Sequence, residues 1–283
     1  MISFAVFVFG LAIGSFLNAV IYRLERGESA FRGRSYCPRC KHTLAWHDLV
    51  PVVSFLFLQG KCRYCKEKIS WQYPLVELAT AVLFVLIFWN FGFRPIIRWG
   101  APSNDGADFF TLLYFWFIAG SLIAIFVYDL KHFIIPDRIV FSAIGIAALW
   151  RVFEFLDFDI LNLFGIWNLE FGISLLFIQA ITTGVLASAF FFAIFWLSRG
   201  RAMGFGDVKL VLFMGLFLSW PNILVALFVA FFLGAVFGVF LVLARKKEWK
   251  SQVPFGPFLI AGTFIALFWG QSVAAWYLNL LLV

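Results

Sequence analysis

A chain of 283 residues that is 63% hydrophobic, holds 40 Phe and 12 Trp and is only 13% charged cannot bury its apolar surface in one water-soluble core. A mean hydropathy of +0.96 excludes an ordinary soluble domain and points to an all-α polytopic membrane protein with the lipid bilayer as its solvent. The net charge of +7 does not indicate a nucleic-acid partner, because no basic stripe with interleaved stacking aromatics lies on a soluble element.

From the amino terminus, apolar runs near 2–22, 74–92, 109–130, 138–153, 174–197, 208–220, 222–244 and 257–280 predict about eight transmembrane helices, the fourth and sixth short. The first run has no basic stretch ahead of it and reads as a retained span, not a cleaved signal. The chain therefore divides into a first span at 1–22, a polar insert at 23–73 and a membrane core of about seven spans at 74–283. No internal repeat is evident. If the insert is cytoplasmic, alternation puts 131–138, 198–209 and 245–250 on the same side, which then holds 19 of the 22 Lys and Arg. Arg94, Arg98 and Arg151 fall on the other side. The positive-inside rule favours this orientation, with both termini outside the cytoplasm.

The insert contains every cysteine, as CPRC at 37–40 and CRYC at 62–65. Each short turn points two sulfurs at one ion, and the 21 residues between the turns fold back to supply the second pair. Cys37, Cys40, Cys62 and Cys65 are thus the expected ligands of a structural Zn²⁺ in a zinc-ribbon-like module. Two disulfides are disfavoured in a reducing cytoplasm, and no βαβ pattern supports a redox pair. His42 and His47 are near in sequence, but four thiolates already close a structural site. Such a brace suits a module of about 50 residues with little core of its own.

Acids at the edge of a span are costly and therefore candidates for function. Asp137, in IIPDRIVF, precedes an apolar run and reads as a helix N-cap. Asp129, in AIFVYDLKH, ends a span and begins no helix, so capping does not account for it; a snorkelling acid or an ion pair with Lys131 would. Asp207 follows two glycines in RAMGFGDVKLVLF. The 13 residues from Val208 to Trp220 cover only about 20 Å of a hydrocarbon core near 30 Å thick, which sets Asp207 below the membrane surface. Gly204 and Gly206 permit unusual backbone angles and close approach of another peptide, so a substrate strand could dock there by main-chain hydrogen bonds. Two aspartates facing across that edge could share one proton, one activating water while the other polarises the scissile carbonyl.

Together, Asp129 followed by Pro136 and Asp137, GFGD at 204–207, PFGPFL at 254–259, GSFLNAVIYRL, the two Cys-x-x-Cys turns and YPLVE resemble the bacterial type IV prepilin peptidase family over essentially the whole chain. The resemblance implies an eight-span aspartyl protease of the inner membrane. Such an enzyme cuts the basic leader of prepilins and pseudopilins after a glycine on the cytoplasmic side, then methylates the new amino terminus with S-adenosylmethionine. It places the catalytic acids on Asp129 and Asp207 and the metal on the four cysteines. No Gly-rich loop after a strand marks a nucleotide-type site. Glu77, in YPLVEL, is the candidate contact for the methyl donor or the new amino group, against an ordinary first-turn acid. The competing readings are an ion- or proton-coupled transporter, disfavoured by the lack of a mid-membrane acid or paired halves, and a zinc-bearing secretion scaffold.

Overall fold

The computed structural model describes residues 1–29, 33–92, 105–162, 170–201, 203–243 and 254–281. Arg94, Arg98 and the basic run 245–250, which entered the orientation argument, lie outside these residues. Among the described residues the regular structure is helical, apart from two isolated β-bridges. Two compact units, Met1–Ala124 and Ile125–Val283, make up the chain.

In the first unit, helices α1 (Ile2–Glu25) and α3 (Gln72–Ile87) run antiparallel. Gly10 lies against Ala81 and Gly14 against Glu77, each so close that a Cβ would sit 2.6 Å from the opposing Cα. This small-residue spacing is a device by which membrane helices approach when lipid supplies no hydrophobic drive between them. Helix α4 (Asp105–His132) closes the unit through Trp116, which stacks on Phe84 at 5.2 Å and donates to the Phe84 carbonyl at 3.1 Å.

Between α1 and α3 the insert folds as two copies of one knuckle. The Cys37 N–H donates to the His42 carbonyl and Lys41 N–H to the Cys37 carbonyl; 25 residues on, Cys62 N–H donates to Glu67 and Lys66 N–H to Cys62. Bridges Tyr36–Thr43 and Lys61–Lys68 complete each knuckle. Lys41 and Lys66 both take left-handed backbone, at φ 59° and 61°. The sequence reading found no repeat; SYCPRCKHTL and GKCRYCKEKI share only the cysteines and the lysine after them, and the hydrogen-bond pattern carries the rest. A single turn at Trp46–Asp48 and the short helix α2 (Val53–Phe57) link the knuckles.

The second unit holds the end of α4 and helices α5 (Asp137–Asn162), α6 (Glu170–Ser198), α7 (Phe205–Leu218), α8 (Asn222–Leu243) and α9 (Gly256–Leu281). Beyond Lys209 helix α7 is apolar all round, and ten of its 14 residues are buried against α5, α6, α8 and α9. A helix of that pattern belongs inside a bundle. Gly184 of α6 and Gly215 of α7 meet backbone to backbone, and Gly262 of α9 lies on the Ala226 carbonyl of α8.

Six described helices are long and apolar enough to cross a bilayer, at Ile2–Glu25, Gln72–Phe91, Phe109–His132, Phe177–Ser198, Asn222–Leu241 and Gly256–Leu280. These match the first, second, third, fifth, seventh and eighth expected spans. The other two differ for physical reasons. Helix α5 carries Asp137, Arg138, Arg151 and Glu154 among its described side chains at 137–155, which dilutes their apolar character. Helix α7, at 14 residues, rises only about 21 Å.

Candidate active site and metal centre

Asp129 and Asp207 both lie in the second unit and both are buried, at 4% and 7% exposure. Asp207 is the third residue of α7, so its side chain reaches back and accepts the Gly204 N–H at 3.2 Å. One carboxylate oxygen thus satisfies a helix-start donor. Asp129 is three residues from the end of α4, and the Gly256 N–H at the start of α9 donates to its carboxylate. Each acid therefore sits at a helix amino terminus, where free N–H groups and the helix dipole favour negative charge. The two carboxylates lie close enough to interact through space.

The start of α9 is held by its own sequence. Phe255 packs against Phe231 of α8 at 5.2 Å and Phe191 of α6 at 6.4 Å, and Phe191 is fully buried. Pro257, in the first turn, lacks an N–H that the helix could not have paired there, and the Gly256 N–H just before it donates to Asp129. A Cβ at Gly256 would stand 2.5 Å from Asp129 Oδ2 and would force the carboxylate to shift.

The glycines of GFGD work differently from the sequence reading. Gly204 has φ −79° and ψ 153°, ordinary extended backbone, and Gly206 lies within the helix without a positive φ. Neither is needed for unusual angles. Gly206 makes room for Ile135, whose Cβ would be 2.9 Å from a Cβ added there. Ile135 comes from the connector between α4 and α5 and also lies beside Gly256, so this buried side chain wedges between the starts of α7 and α9. Gly204 is exposed and open, with Asp207 Oδ2 at 3.7 Å the nearest atom to an added Cβ.

Asp137 is the first residue of α5, and its carboxylate accepts Lys209 Nζ at 2.6 Å. The N-cap expectation is thereby corrected to a cross-helix ion pair between α5 and α7. Lys209 also lies over the rings of Phe141 and Phe205 at 5.1 and 5.0 Å. At the far end of α7, Arg151 of α5 donates to the Leu216 and Phe217 carbonyls at 2.9 Å each and to Ser219 Oγ at 3.0 Å. A guanidinium there satisfies orphan carbonyls and complements the dipole. Sequence reasoning read Arg151 only for topology and passed over Lys209, Ile135 and Gly256; the VK after GFGD and the PFGP run were the available signals.

In the first unit the four cysteines converge, with all Sγ atoms within 4.8 Å of one another and Cys37 to Cys65 at 3.8 Å. Tetrahedral thiolates at about 2.3 Å from zinc stand about 3.8 Å apart, so the set fits that ion. Within 33–71, only Cys37, Phe55 and Cys62 are buried. His42 is not a ligand; its ring lies 3.6 Å from that of Tyr64, joining one knuckle to the other. Asp48 ties the linker down by accepting from Arg63 Nε at 2.7 Å, Tyr64 Oη at 3.2 Å and Ala45 N–H at 3.2 Å. Burial works against its charge, but these bonds outweigh it and hold Asp48 below the usual carboxylate range.

Glu77 is the sixth residue of α3 and is buried, so it is not a first-turn acid. Its Oε2 accepts the Val52 N–H at 2.8 Å and it also bonds the Ser15 hydroxyl. Glu77 thus fastens the insert to the α1–α3 pair.

Known proteins resemble the chain along most of its length. A family profile described as the bacterial peptidase A24 N-terminal domain matches residues 8–91, and one described as the type IV leader peptidase family matches residues 116–239. A protein of Aeromonas salmonicida (strain A449) named prepilin leader peptidase/N-methyltransferase is 32% identical over 302 residues, covering 98% of this chain and 94% of that protein. Proteins of the same name from Pseudomonas aeruginosa PAO1 and Bacillus subtilis (strain 168) are 32% and 30% identical, covering 95% and 98% of this chain and 91% and 98% of their own lengths. No solved structure matches the chain significantly. With two family profiles in tandem and full-length relatives at this identity, the chain belongs to the type IV leader peptidase family.

Proposed function

We propose that the chain is a membrane aspartyl endopeptidase that removes the basic leader of type IV prepilins or pseudopilins after a glycine, and that it methylates the new amino terminus with S-adenosylmethionine. The observation that carries the protease reading is the pair of buried carboxylates, Asp129 and Asp207, each held by the first N–H groups of a helix and within electrostatic reach of the other. In this reading one carboxylate takes a proton from water as its oxygen attacks the scissile carbonyl carbon. The other, protonated, hydrogen-bonds the carbonyl oxygen as charge develops there. Collapse of the tetrahedral intermediate then sends a proton to the departing amine. Exposed Gly204, three residues before Asp207, is the proposed docking edge for substrate backbone, with Gly206 keeping the Ile135 wedge in place behind it.

Cys37, Cys40, Cys62 and Cys65 would hold Zn²⁺, which supplies cross-linking and no chemistry. Counting α5 and short α7 as membrane-embedded gives eight passes, with the 23–73 insert and both acids on the cytoplasmic face of the inner membrane and both termini outside. The relatives' shared name supports methylation. Glu77 is already bonded to Val52 and Ser15, which does not suit a methyl-donor contact, so no methyl-transfer step is routed through it.

The decisive experiment incubates purified protein with a candidate prepilin and locates the cut by mass. Asp129→Asn and Asp207→Asn should each lower cleavage by about a thousandfold or more with zinc content unchanged. Appreciable turnover by either variant would sink the two-acid mechanism, and full function in both would favour the scaffold reading.

A further inference from the structure

The insert exposes an apolar face that neither the dyad nor the metal site explains. On α2, Val53, Leu56 and Phe57 share one side of the helix at i, i+3 and i+4, with Leu56 at 64% and Phe57 at 84% exposure, while Phe55 is turned inward. Trp46 and Leu49, just ahead, are exposed as well. A cluster of that kind is a liability in water unless something covers it.

Two contacts fix the level of α2 relative to α3. Val52, immediately before α2, donates its N–H to Glu77, five residues into α3. Phe55 meets the Trp71 ring edge-on at 5.0 Å. Trp71 in turn heads a stripe of exposed residues, Trp71, Leu75, Leu78 and Val82, spaced as one face of a helix. On the span Gln72–Phe91 that stripe has the pattern of a lipid-facing surface, and a Trp at its head belongs at the boundary between hydrocarbon and headgroups. Helix α2 is thus pinned beside the interfacial Trp, level with the first turns of a spanning helix. Charge agrees, because residues 23–73 carry ten Lys and Arg against four Asp and Glu, and cations near a membrane surface favour anionic lipid.

We propose that the Val53–Leu56–Phe57 face of α2, flanked by Trp46 and Leu49, is a membrane-docking surface whose occupant is the anionic phospholipid interface that α1 and α3 enter. The insert is then a module laid on the bilayer and braced there by metal, Glu77 and α2, in the manner of an interfacial amphipathic helix. The inference rests on α3 spanning the membrane, not on the peptidase activity.

The test uses the full chain in nanodiscs of phosphatidylglycerol and phosphatidylethanolamine, with a photoreactive benzoylphenylalanine at Phe57, and in a second variant at Leu56. Val82 serves as the site expected in lipid and Arg39, on a knuckle, as the site expected in water. Zinc content reports folding. Lipid adducts at Phe57 and Leu56 should approach the yield at Val82 and exceed that at Arg39 several-fold, and should fall several-fold in phosphatidylcholine while Val82 stays level. Adducts at Val82 but not at Phe57 or Leu56 overturn the proposal and leave the span intact. Loss at all three overturns both. Cross-linking to a second copy or to another protein in place of lipid, or equal yields in neutral lipid, also overturns it as stated.

Discussion

At Gly256 a single hydrogen separates a fitting residue from a clash. A methyl group there would stand 2.5 Å from Asp129 Oδ2, so Gly256→Ala should push the carboxylate off its N–H and lower leader cleavage by about 100-fold, as displacements near 1 Å do. Gly206→Ala should press on Ile135 at an overpacking cost of about 1–3 kcal/mol, and Ile135→Ala in the same chain should relieve it. Gly204→Ala meets nothing nearer than 3.7 Å and should fold normally; a raised KM with little change in kcat would mark Gly204 as the substrate edge. Cleavage assays on these four variants distinguish a packing role from a docking one. The sequence showed that small residues mattered beside Asp207, but not that Ile135, 71 positions earlier in the chain, fills the space one of them leaves.

Among the elements, the insert depends most on its ligands. With only Cys37, Phe55 and Cys62 buried in 33–71, apolar burial is too small to hold the knuckles by itself, and a metal ion on the four cysteines would supply most of their stability. Cys37→Ser should lower zinc from about one per chain and speed proteolysis within 33–71; metal loss with unchanged proteolysis would contradict the structural role. Asp48 provides a second brace with a defined pH sign. Its bonds to Arg63, Ala45 and Tyr64 hold the folded carboxyl below its unfolded value of about 3.9. Its contribution is therefore present above that pH and lost as pH falls through the lower, folded value. Asp48→Asn should make the insert more protease-sensitive by a constant factor from pH 7 to about 5, with the difference from wild type closing only below about 4. A difference that closes at higher pH would mean Asp48 is not the group held.

For the whole molecule, the question is whether cutting and methylation share one site. The dyad lies wholly in the second unit, whereas Glu77 and the metal cluster lie in the first. If methyl transfer is separate from hydrolysis, Asp207→Asn should still methylate a substrate already trimmed to its mature terminus. Glu77→Gln, which keeps a side chain able to accept the Val52 N–H, should cut and methylate normally, and poor methylation would place the acid at the donor or amine. Labelled methyl transfer on trimmed substrate decides both points: a folded but inactive Asp207→Asn overturns separate sites, and normal methylation by Glu77→Gln removes that residue from the methyl site.

The sequence by itself determined what local pattern can encode. Apolar runs near 20 residues marked six helices that are long and apolar enough to cross a bilayer, paired Cys-x-x-Cys turns marked the four-cysteine cluster, and GFGD set Asp207 at the start of a short helix. Only the tertiary structure decided what depends on contacts between distant segments. It brought the Gly256 N–H to Asp129, set Ile135 between two helix starts, placed Arg151 on the last carbonyls of α7 and bound Glu77 to Val52. The physical reason is one of range. Helical periodicity and turn chemistry act over a few residues and leave a trace in the chain, whereas a hydrogen bond across about 25 to 125 positions is specified by packing and leaves none.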